Sequence, residues 1–130
     1  MKEVYDFLKE AEVYYLATFD GKKPRVRPFG SLNIFEGKLY IETSNNKDVF
    51  KQIMDNPYVE LCAVKGRDWI RVSGKLIRDE RLEAKESMFN NNPILREYYK
   101  ADSDKTEVLY IDQMEAVIYS FDRGPRNIKI

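Results

Sequence analysis

The sequence predicts an α+β barrel made mainly of antiparallel strands, with helices at its margins. Six or seven short segments rich in β-branched and aromatic residues have the character of strands. Short turns link most of them, so strands that follow one another should pair antiparallel. Three or four segments with helical spacing lie between or outside these strands. The 130 residues, 1–130, are predicted to form a single domain that buries a core without disulfide or metal.

The first part of the chain predicts one helix and one strand. Residues 2–12 form an amphipathic helix, because apolar side chains recur at every third or fourth position. These side chains are Val4, Phe7, Leu8 and Ala11. Residues 13–19 are aromatic and β-branched, which indicates a strand, and the glycine and proline in residues 20–24 indicate a turn.

The middle of the chain predicts a strand pair that leads into a helix. Strands are expected over residues 25–35 and 38–44, joined by a turn at Phe35-Glu36-Gly37-Lys38, and a helix over 46–56. The helix should end at Asn56-Pro57, because proline cannot continue it. A near-continuous apolar strand follows over residues 59–65.

The second half predicts strands around two short helices. The strand over residues 69–78 contains Gly74, which indicates a bulge or a close approach of another backbone. Helices are expected over residues 80–89 and 93–100. Residues 107–112 and 115–121 should form a final strand pair, and the basic tail after them is expected to be irregular.

The chain contains no histidine. A Ser-His or Cys-His nucleophile pair, an imidazole general base and histidine-bound haem or zinc are therefore excluded. No metal site is predicted. If the protein is an enzyme, its difficult chemistry should come from an organic cofactor, which the protein positions and surrounds with charge.

Composition also limits partners and location. Twenty-two basic residues balance twenty-two acidic residues, which argues against nucleic-acid binding by bulk charge. No apolar run reaches the ~20 residues that span a bilayer, and no signal-peptide core is present. Cys62, the single cysteine, lies in an apolar run and is expected to be a buried, inert thiol. The sequence thus predicts a cytoplasmic protein without membrane or nucleic-acid partners.

Residues 25–47 carry the pattern of a phosphate site. Arg25 and Arg27 should share one face of a strand, because strand side chains alternate. The next strand delivers Thr43 and Ser44 to a helix N-terminus, with Lys47 in its first turn, where a cation opposes the helix dipole unless an anion lies between them. The alternatives are solvated arginines, helix-capping roles for Thr43 and Ser44, and Asp48 as the compensating charge.

An ordered set of motifs resembles a known family. The set is P-x-x-R-P within YLATFDGKKPRVRPF, then L-Y-x-x-T, the helix-opening lysine and N-P within GKLYIETSNNKDVFKQIMDNPYVEL, then S-G within WIRVSGKL. Between about residues 3 and 121 the chain resembles the pyridoxamine 5′-phosphate oxidase-like family of FMN-binding split barrels. The resemblance implies a split β-barrel of six to seven mainly antiparallel strands with peripheral helices.

The resemblance also implies a homodimer that holds FMN in clefts between its subunits. It places the FMN phosphate near Arg27, Thr43, Ser44 and Lys47. It places the flavin ring along the backbone of Arg25, Val26, Arg27 and Pro28, and along that of Ile41 and Glu42. The partner subunit would close the cleft near Trp69 and Phe121. For Trp69 the alternative is core or interface packing, which is the more frequent role of such a tryptophan.

The chain departs from the family's best-known enzymes. Pyridoxamine phosphate oxidases carry a C-terminal Arg-x-His element that grips the substrate, whereas residues 121–126 here read FDRGPR. Vitamin B6 oxidation is therefore not expected, and relatives that degrade haem or reduce nitroimidazoles with a histidine are disfavoured.

The prediction for function is an FMN-dependent oxidoreductase that passes hydride or electrons between a reduced nicotinamide and an unknown small acceptor. A guanidinium from Arg25 or Arg27 would stabilise the negative charge of the reduced ring. One alternative is a flavin-binding module without turnover, acting as a sensor or store. Another is a small oligonucleotide-binding barrel, which the neutral charge balance does not favour.

Overall fold

The computed structural model describes all residues, 1–130, as three α-helices, one 3₁₀ helix and eight strands. The helices are α1 (Lys2–Ala11), α2 (Asp48–Asp55), α3 (Leu82–Asn91) and the 3₁₀ helix Pro93–Glu97. The strands are β1 (Tyr14–Phe19), β2 (Pro24–Phe29), β3 (Asn33–Phe35), β4 (Lys38–Ser44), β5 (Tyr58–Lys65), β6 (Asp68–Asp79), β7 (Thr106–Ser120) and β8 (Arg126–Ile128). None of the helices has the length and apolar composition needed to cross a bilayer.

All strands belong to one antiparallel sheet, in the order β2-β1-β5-β6-β7-β4-β3, and β8 pairs with β7. The two edge strands, β2 and β3, do not pair with each other, so the barrel is split rather than closed. Side chains of α1 and α2 join the main core, whereas α3 covers a second cluster around Tyr40 and Val108. The α+β, mainly antiparallel split barrel is thus confirmed.

The predicted turn between β3 and β4 is confirmed as a two-residue hairpin loop, with Phe35 paired to Lys38. Glu36 and Gly37 have φ angles of 52° and 75°. Positive φ at both central positions is typical of a type I′ turn, whose twist matches that of the strands it joins.

The strand predicted over residues 25–35 is wrong in one respect. It is two strands, β2 and β3, which lie at opposite edges of the sheet. The pairing of β2 with β1 ends at Phe29. Residues 30–32 then connect to the other edge of the sheet, where pairing with β4 starts at Asn33. Both pieces contain residues typical of strands, and their composition does not reveal that the pairing partner changes.

The end of the chain also differs from prediction. Residues 106–120 form the single strand β7 instead of a strand pair, and both of its halves pair with the long β6. The tail, expected to be irregular, adds β8 on the other side of β7. The helix expected over residues 93–100 is a 3₁₀ helix that ends at Glu97.

The irregularity predicted at Gly74 is confirmed. The register between β6 and β7 shifts between Ser73 and Lys75. A Cβ at Gly74 would lie 2.5 Å from Ile111 Cγ2 and 2.8 Å from the Asp112 carbonyl oxygen. Only glycine permits this approach of the two strands.

Candidate functional site

A groove runs beside the start of α2, between the end of β4 and the segment that follows α3. It has an inner chamber of about 400 Å³ and an outer chamber of about 530 Å³, and Lys47 and Tyr99 line both. The predicted residues Pro28, Glu42 and Thr43 line the inner chamber, and Ser44 lines the outer one. The structure therefore brings five of the nine predicted residues into one groove.

The hydroxyl group of Thr43 is buried beside the inner chamber. Thr43 is 2% exposed, and its Oγ1 has no hydrogen-bond partner. Buried polar groups in proteins are normally paired, because leaving one unpaired costs about 1–3 kcal/mol. Thr43 lines the inner chamber, and its unpaired hydroxyl lacks a partner that a ligand would supply.

The N-terminus of α2 is open to the groove. Its N-cap is Lys47 itself, and no side chain accepts a hydrogen bond from the first N–H groups of the helix. Thr43 and Ser44 thus do not cap α2, and Lys47 lies one position before the helix rather than in its first turn. Free N–H groups and the positive end of the helix dipole favour an anion here.

Lys47 is a cation without a carboxylate partner. It is exposed, it takes part in no ion pair, and its Nζ lies 5.8 Å from the centre of the Tyr99 ring. Asp48, the alternative compensating charge, forms no ion pair with it either. The charge of Lys47 is therefore available to a ligand in both chambers.

The two predicted arginines lie outside both chambers. Arg25 is paired with Asp20, with 2.7 Å between its Nε and the Asp20 Oδ2. Arg27 is half-buried and donates to Thr18 Oγ1 at 2.6 Å and to Gln52 Oε1 at 2.8 Å. The Arg27 guanidinium thus contacts the second turn of α2 and has no carboxylate partner, so its positive charge remains unbalanced.

Two other predicted residues also lie outside the chambers. The Val26 side chain is exposed on the face of β2 opposite to Arg27. Ile41 is fully buried in the main core and its register partner is Leu109. The predicted contact between the flavin ring and these residues is with their backbone, and it stays a prediction.

Glu42 is a site residue for which the sequence suggested only a backbone role. Its side chain lines the inner chamber, the residue is 7% exposed, and no donor hydrogen-bonds to its carboxylate. Burial raises the pKa of Glu42 to about 7, and Lys47 acts against this rise. The sequence indicates this role only through a single charged residue, Glu42, in the otherwise uncharged strand segment LYIETS.

The sequence reasoning also missed the outer wall of the groove. Arg96, Lys100 and Lys105 line the outer chamber, and none of them forms an ion pair. Tyr99 faces Lys47. These residues come from the irregular stretch after α3, which periodicity does not place next to β4.

Trp69 and Phe121 do not line the groove. Trp69 stacks on Tyr119 with ring centres 4.1 Å apart and an interplanar angle of 11°. Phe121 is exposed at the end of the sheet. The packing alternative for Trp69 is seen within the chain, and its contact with a partner's flavin stays a prediction.

Known proteins are similar to this chain in sequence and in fold. The family model described as pyridoxamine 5′-phosphate oxidase matches residues 1–118. The crystal structure of a NimC/NimA family protein from Clostridium acetobutylicum is 41% identical, with a TM-score of 0.96, and the match covers 100% of this chain and 92% of that one. No curated protein matches the chain.

More distant structures share the fold alone. An FMN-binding, pyridoxamine 5′-phosphate oxidase-related protein from Nostoc punctiforme is 15% identical, with a TM-score of 0.66 and coverage of 99% and 95% of the two chains. A haem-binding protein from Mycobacterium smegmatis is 13% identical, with a TM-score of 0.74 and coverage of 94% and 57%.

The match of the family model over residues 1–118 and the relative with 41% identity agree with the motifs and the split barrel. The chain therefore belongs to the pyridoxamine 5′-phosphate oxidase-like family of split-barrel proteins, although it is not a pyridoxamine 5′-phosphate oxidase itself.

Proposed function

We propose that the protein binds FMN in the groove and acts as an oxidoreductase between a reduced nicotinamide and a small acceptor. The observation that carries this proposal is that Thr43, with its buried and unpaired hydroxyl, and Lys47, which has no ion pair, line one chamber at the uncapped start of α2. A hydroxyl donor, a cation and free helix N–H groups form a suitable set of partners for a phosphate.

Each of these groups has a separate role toward the phosphate. Lys47 supplies the positive charge, and the first N–H groups of α2 supply directed hydrogen bonds. Thr43 and Ser44 supply hydroxyl groups at the end of β4. The unbalanced charge of Arg27 near the second turn of α2 adds to the positive potential around this helix.

The inner chamber suits a flat ring. Phe29, Ile94 and Leu95 give it apolar walls, and Pro28 and Gly30 bring the backbone of the β2–β3 connection to its surface. These side chains would exclude water from a bound ring. Bound FMN supplies hydride and electron transfer, which requires no histidine.

We also propose a homodimer formed through the outer face of the sheet. Apolar side chains pair across β1 and β2 on this face, Ala17 with Val26 and Phe19 with Pro24. The same face continues over β5 to Val64, which is 59% exposed. Cys62 also lies on this face, and it is half-buried, whereas the sequence predicted a buried thiol. An exposed apolar surface, crossed here by the ion pair of Arg71 with Glu60, typically marks an interface.

A second copy of the chain is the occupant that fits this face best. Pro28 lies on this outer face, where it pairs with Tyr15, and it also lines the inner chamber. The face therefore continues into the groove. A partner seated there would border a bound ring, as the family resemblance implies for Trp69 and Phe121. A stable dimer needs roughly 800 Å² from each partner, which a five-stranded face can supply.

FMN titration of the purified protein tests the cofactor site. Lys47→Ala should raise the Kd for FMN about tenfold or more, since a charge-assisted contact contributes about 1.5–3 kcal/mol. Lys51→Ala, at an exposed position on α2, is the matched control and should leave the Kd unchanged. Riboflavin, which lacks the phosphate, should bind the wild type and Lys47→Ala equally.

Thr43→Val separates ligand binding from folding. The variant removes a hydroxyl without a partner in the protein, so the free protein should be as stable as wild type or more stable. FMN affinity should nevertheless fall several-fold. Unchanged affinity in both Lys47→Ala and Thr43→Val would refute the phosphate site.

Anaerobic titration of the FMN-loaded protein with NADPH tests the reaction. Loss of the flavin absorbance bands, followed by their return on addition of an acceptor, is the expected result. A bound flavin that NADPH never reduces would instead favour the sensor or store and refute the oxidoreductase.

A further inference from the structure

Glu42 and Lys47 are two charged side chains of opposite sign that share the inner chamber without pairing. No ion pair within 4 Å joins them, and no donor hydrogen-bonds to the Glu42 carboxylate. Glu42 is almost fully buried, whereas Lys47 is exposed. The carboxyl group therefore depends on the water in the chamber and on the potential of Lys47 to carry its negative charge.

Other groups around Glu42 do not compensate this charge. Ser31 contacts only the Glu42 backbone, through its hydroxyl 3.2 Å from the Glu42 N. Tyr14 donates its hydroxyl proton to the Ser31 carbonyl oxygen, and burial raises the pKa of Tyr14 well above its ordinary value, so it stays neutral. Tyr99 adds a ring to the chamber wall.

A ligand in the groove would change both factors that govern the ionisation of Glu42. A ring in the inner chamber removes the water that still reaches the carboxylate. An anion at Lys47 cancels the positive potential that favours the charged form. Both changes favour the protonated carboxyl, so their effects on Glu42 have the same sign.

We propose that Glu42 couples ligand binding to proton uptake: when a phosphate-bearing ring compound binds at Lys47, the Glu42 carboxylate takes up one proton. This inference rests on the proposed function. The proton comes from solvent when the ligand binds and returns to solvent when it leaves. The protonated carboxyl group is then a hydrogen-bond donor and a proton source next to the bound ligand.

Isothermal titration with FMN in buffers of different ionisation enthalpy measures the uptake directly. At pH 7.5 the wild type should take up roughly 0.7 proton, because a free carboxyl with a pKa of about 7 is mostly ionised at that pH. The FMN phosphate itself contributes little there, since its second pKa is about 6.

The pH dependence of FMN affinity gives a second readout. The wild-type Kd should rise between pH 7.5 and 8.5 and approach tenfold per pH unit, which is the limit for one linked proton. Glu42→Gln, which imitates the protonated carboxyl, should show no uptake and a Kd that does not change over this range. Glu97→Gln, an exposed carboxylate of the outer chamber, is the matched control and should retain the uptake.

The outcomes separate this inference from the proposed function. FMN binding without uptake by the wild type, or with equal uptake by Glu42→Gln, would overturn the role of Glu42 and leave the cofactor site intact. Absence of FMN binding to the wild type and to Glu42→Gln would overturn the proposed function and this inference together.

Discussion

The side-chain amide of Asn45 donates a hydrogen bond to the buried carboxylate of Glu107, with 2.8 Å between Asn45 Nδ2 and Glu107 Oε2. The same amide also donates to the Asp104 carbonyl oxygen at 2.7 Å. Arg78 in turn binds both oxygens of Glu107, at 2.8 and 2.7 Å. This chain of contacts fixes the turn that carries Lys47 to the start of α2.

Breaking the contact between Arg78 and Glu107 should destabilise the protein. Arg78→Met leaves the fully buried Glu107 carboxylate with Asn45 alone, and we expect unfolding to become easier by about 2–3 kcal/mol. Chemical denaturation measures this change. Arg126→Met is the matched control, because Arg126 and its partner Glu3 are both half-exposed, and it should cost less than about 1 kcal/mol. Equal costs for the two variants would contradict the structural role of Glu107.

Glu42 should make the stability of the free protein fall as pH rises. Burial raises its pKa in the folded state to about 7, above the ordinary value of 4.5, so the folded protein holds a proton that the unfolded chain has lost. The contribution of Glu42 to the free energy of unfolding is fully present below about pH 4.5. As pH rises toward 7, this contribution is lost, and the free energy of unfolding falls by up to about 3 kcal/mol.

Glu42→Gln tests this pH dependence without any ligand. The variant should be more stable than wild type at pH 8, and the difference should shrink toward pH 5. Urea denaturation at several pH values gives the comparison, with Glu97→Gln as the exposed control. A difference between wild type and Glu42→Gln that does not vary with pH would show that Glu42 titrates normally.

Gly74→Ala should weaken the β6–β7 ladder. The new methyl group would meet both Ile111 and the Asp112 backbone, and overpacking of this kind costs about 1–3 kcal/mol. At Gly124, a Cβ would meet nothing within 4 Å, so Gly124→Ala should change stability by less than about 0.5 kcal/mol. Thermal unfolding distinguishes the two variants, and similar melting temperatures would argue against a close approach at Gly74.

Val26→Lys should convert the proposed dimer into a monomer. Val26 is 68% exposed on the apolar outer face, and a lysine there would have to be desolvated in the interface. Leu82→Lys, at the exposed start of α3, adds the same charge elsewhere and should leave the assembly unchanged. Sedimentation velocity measures the mass. A wild type that sediments as a monomer would refute the dimer itself.

The sequence by itself determined those features that local chemistry specifies. Positive φ at Glu36 and Gly37 suits their turn, the missing Cβ at Gly74 suits a close approach, and Asn56-Pro57 ends α2. Each depends on residues that are neighbours in the chain, so their patterns were sufficient. The motifs in residues 25–47 likewise placed Thr43 and Ser44 at the end of a strand and Lys47 near the start of the helix that follows it.

Only the tertiary structure decided which distant segments share a surface. It separated β2 from β3 across the sheet, joined residues 106–120 into one strand and brought Tyr99 to Lys47. It also gave Glu42 a buried carboxyl at a chamber wall and turned Arg25 toward Asp20. Alternation along a strand states which side chains share a face, but pairing and burial depend on chain segments far away in sequence.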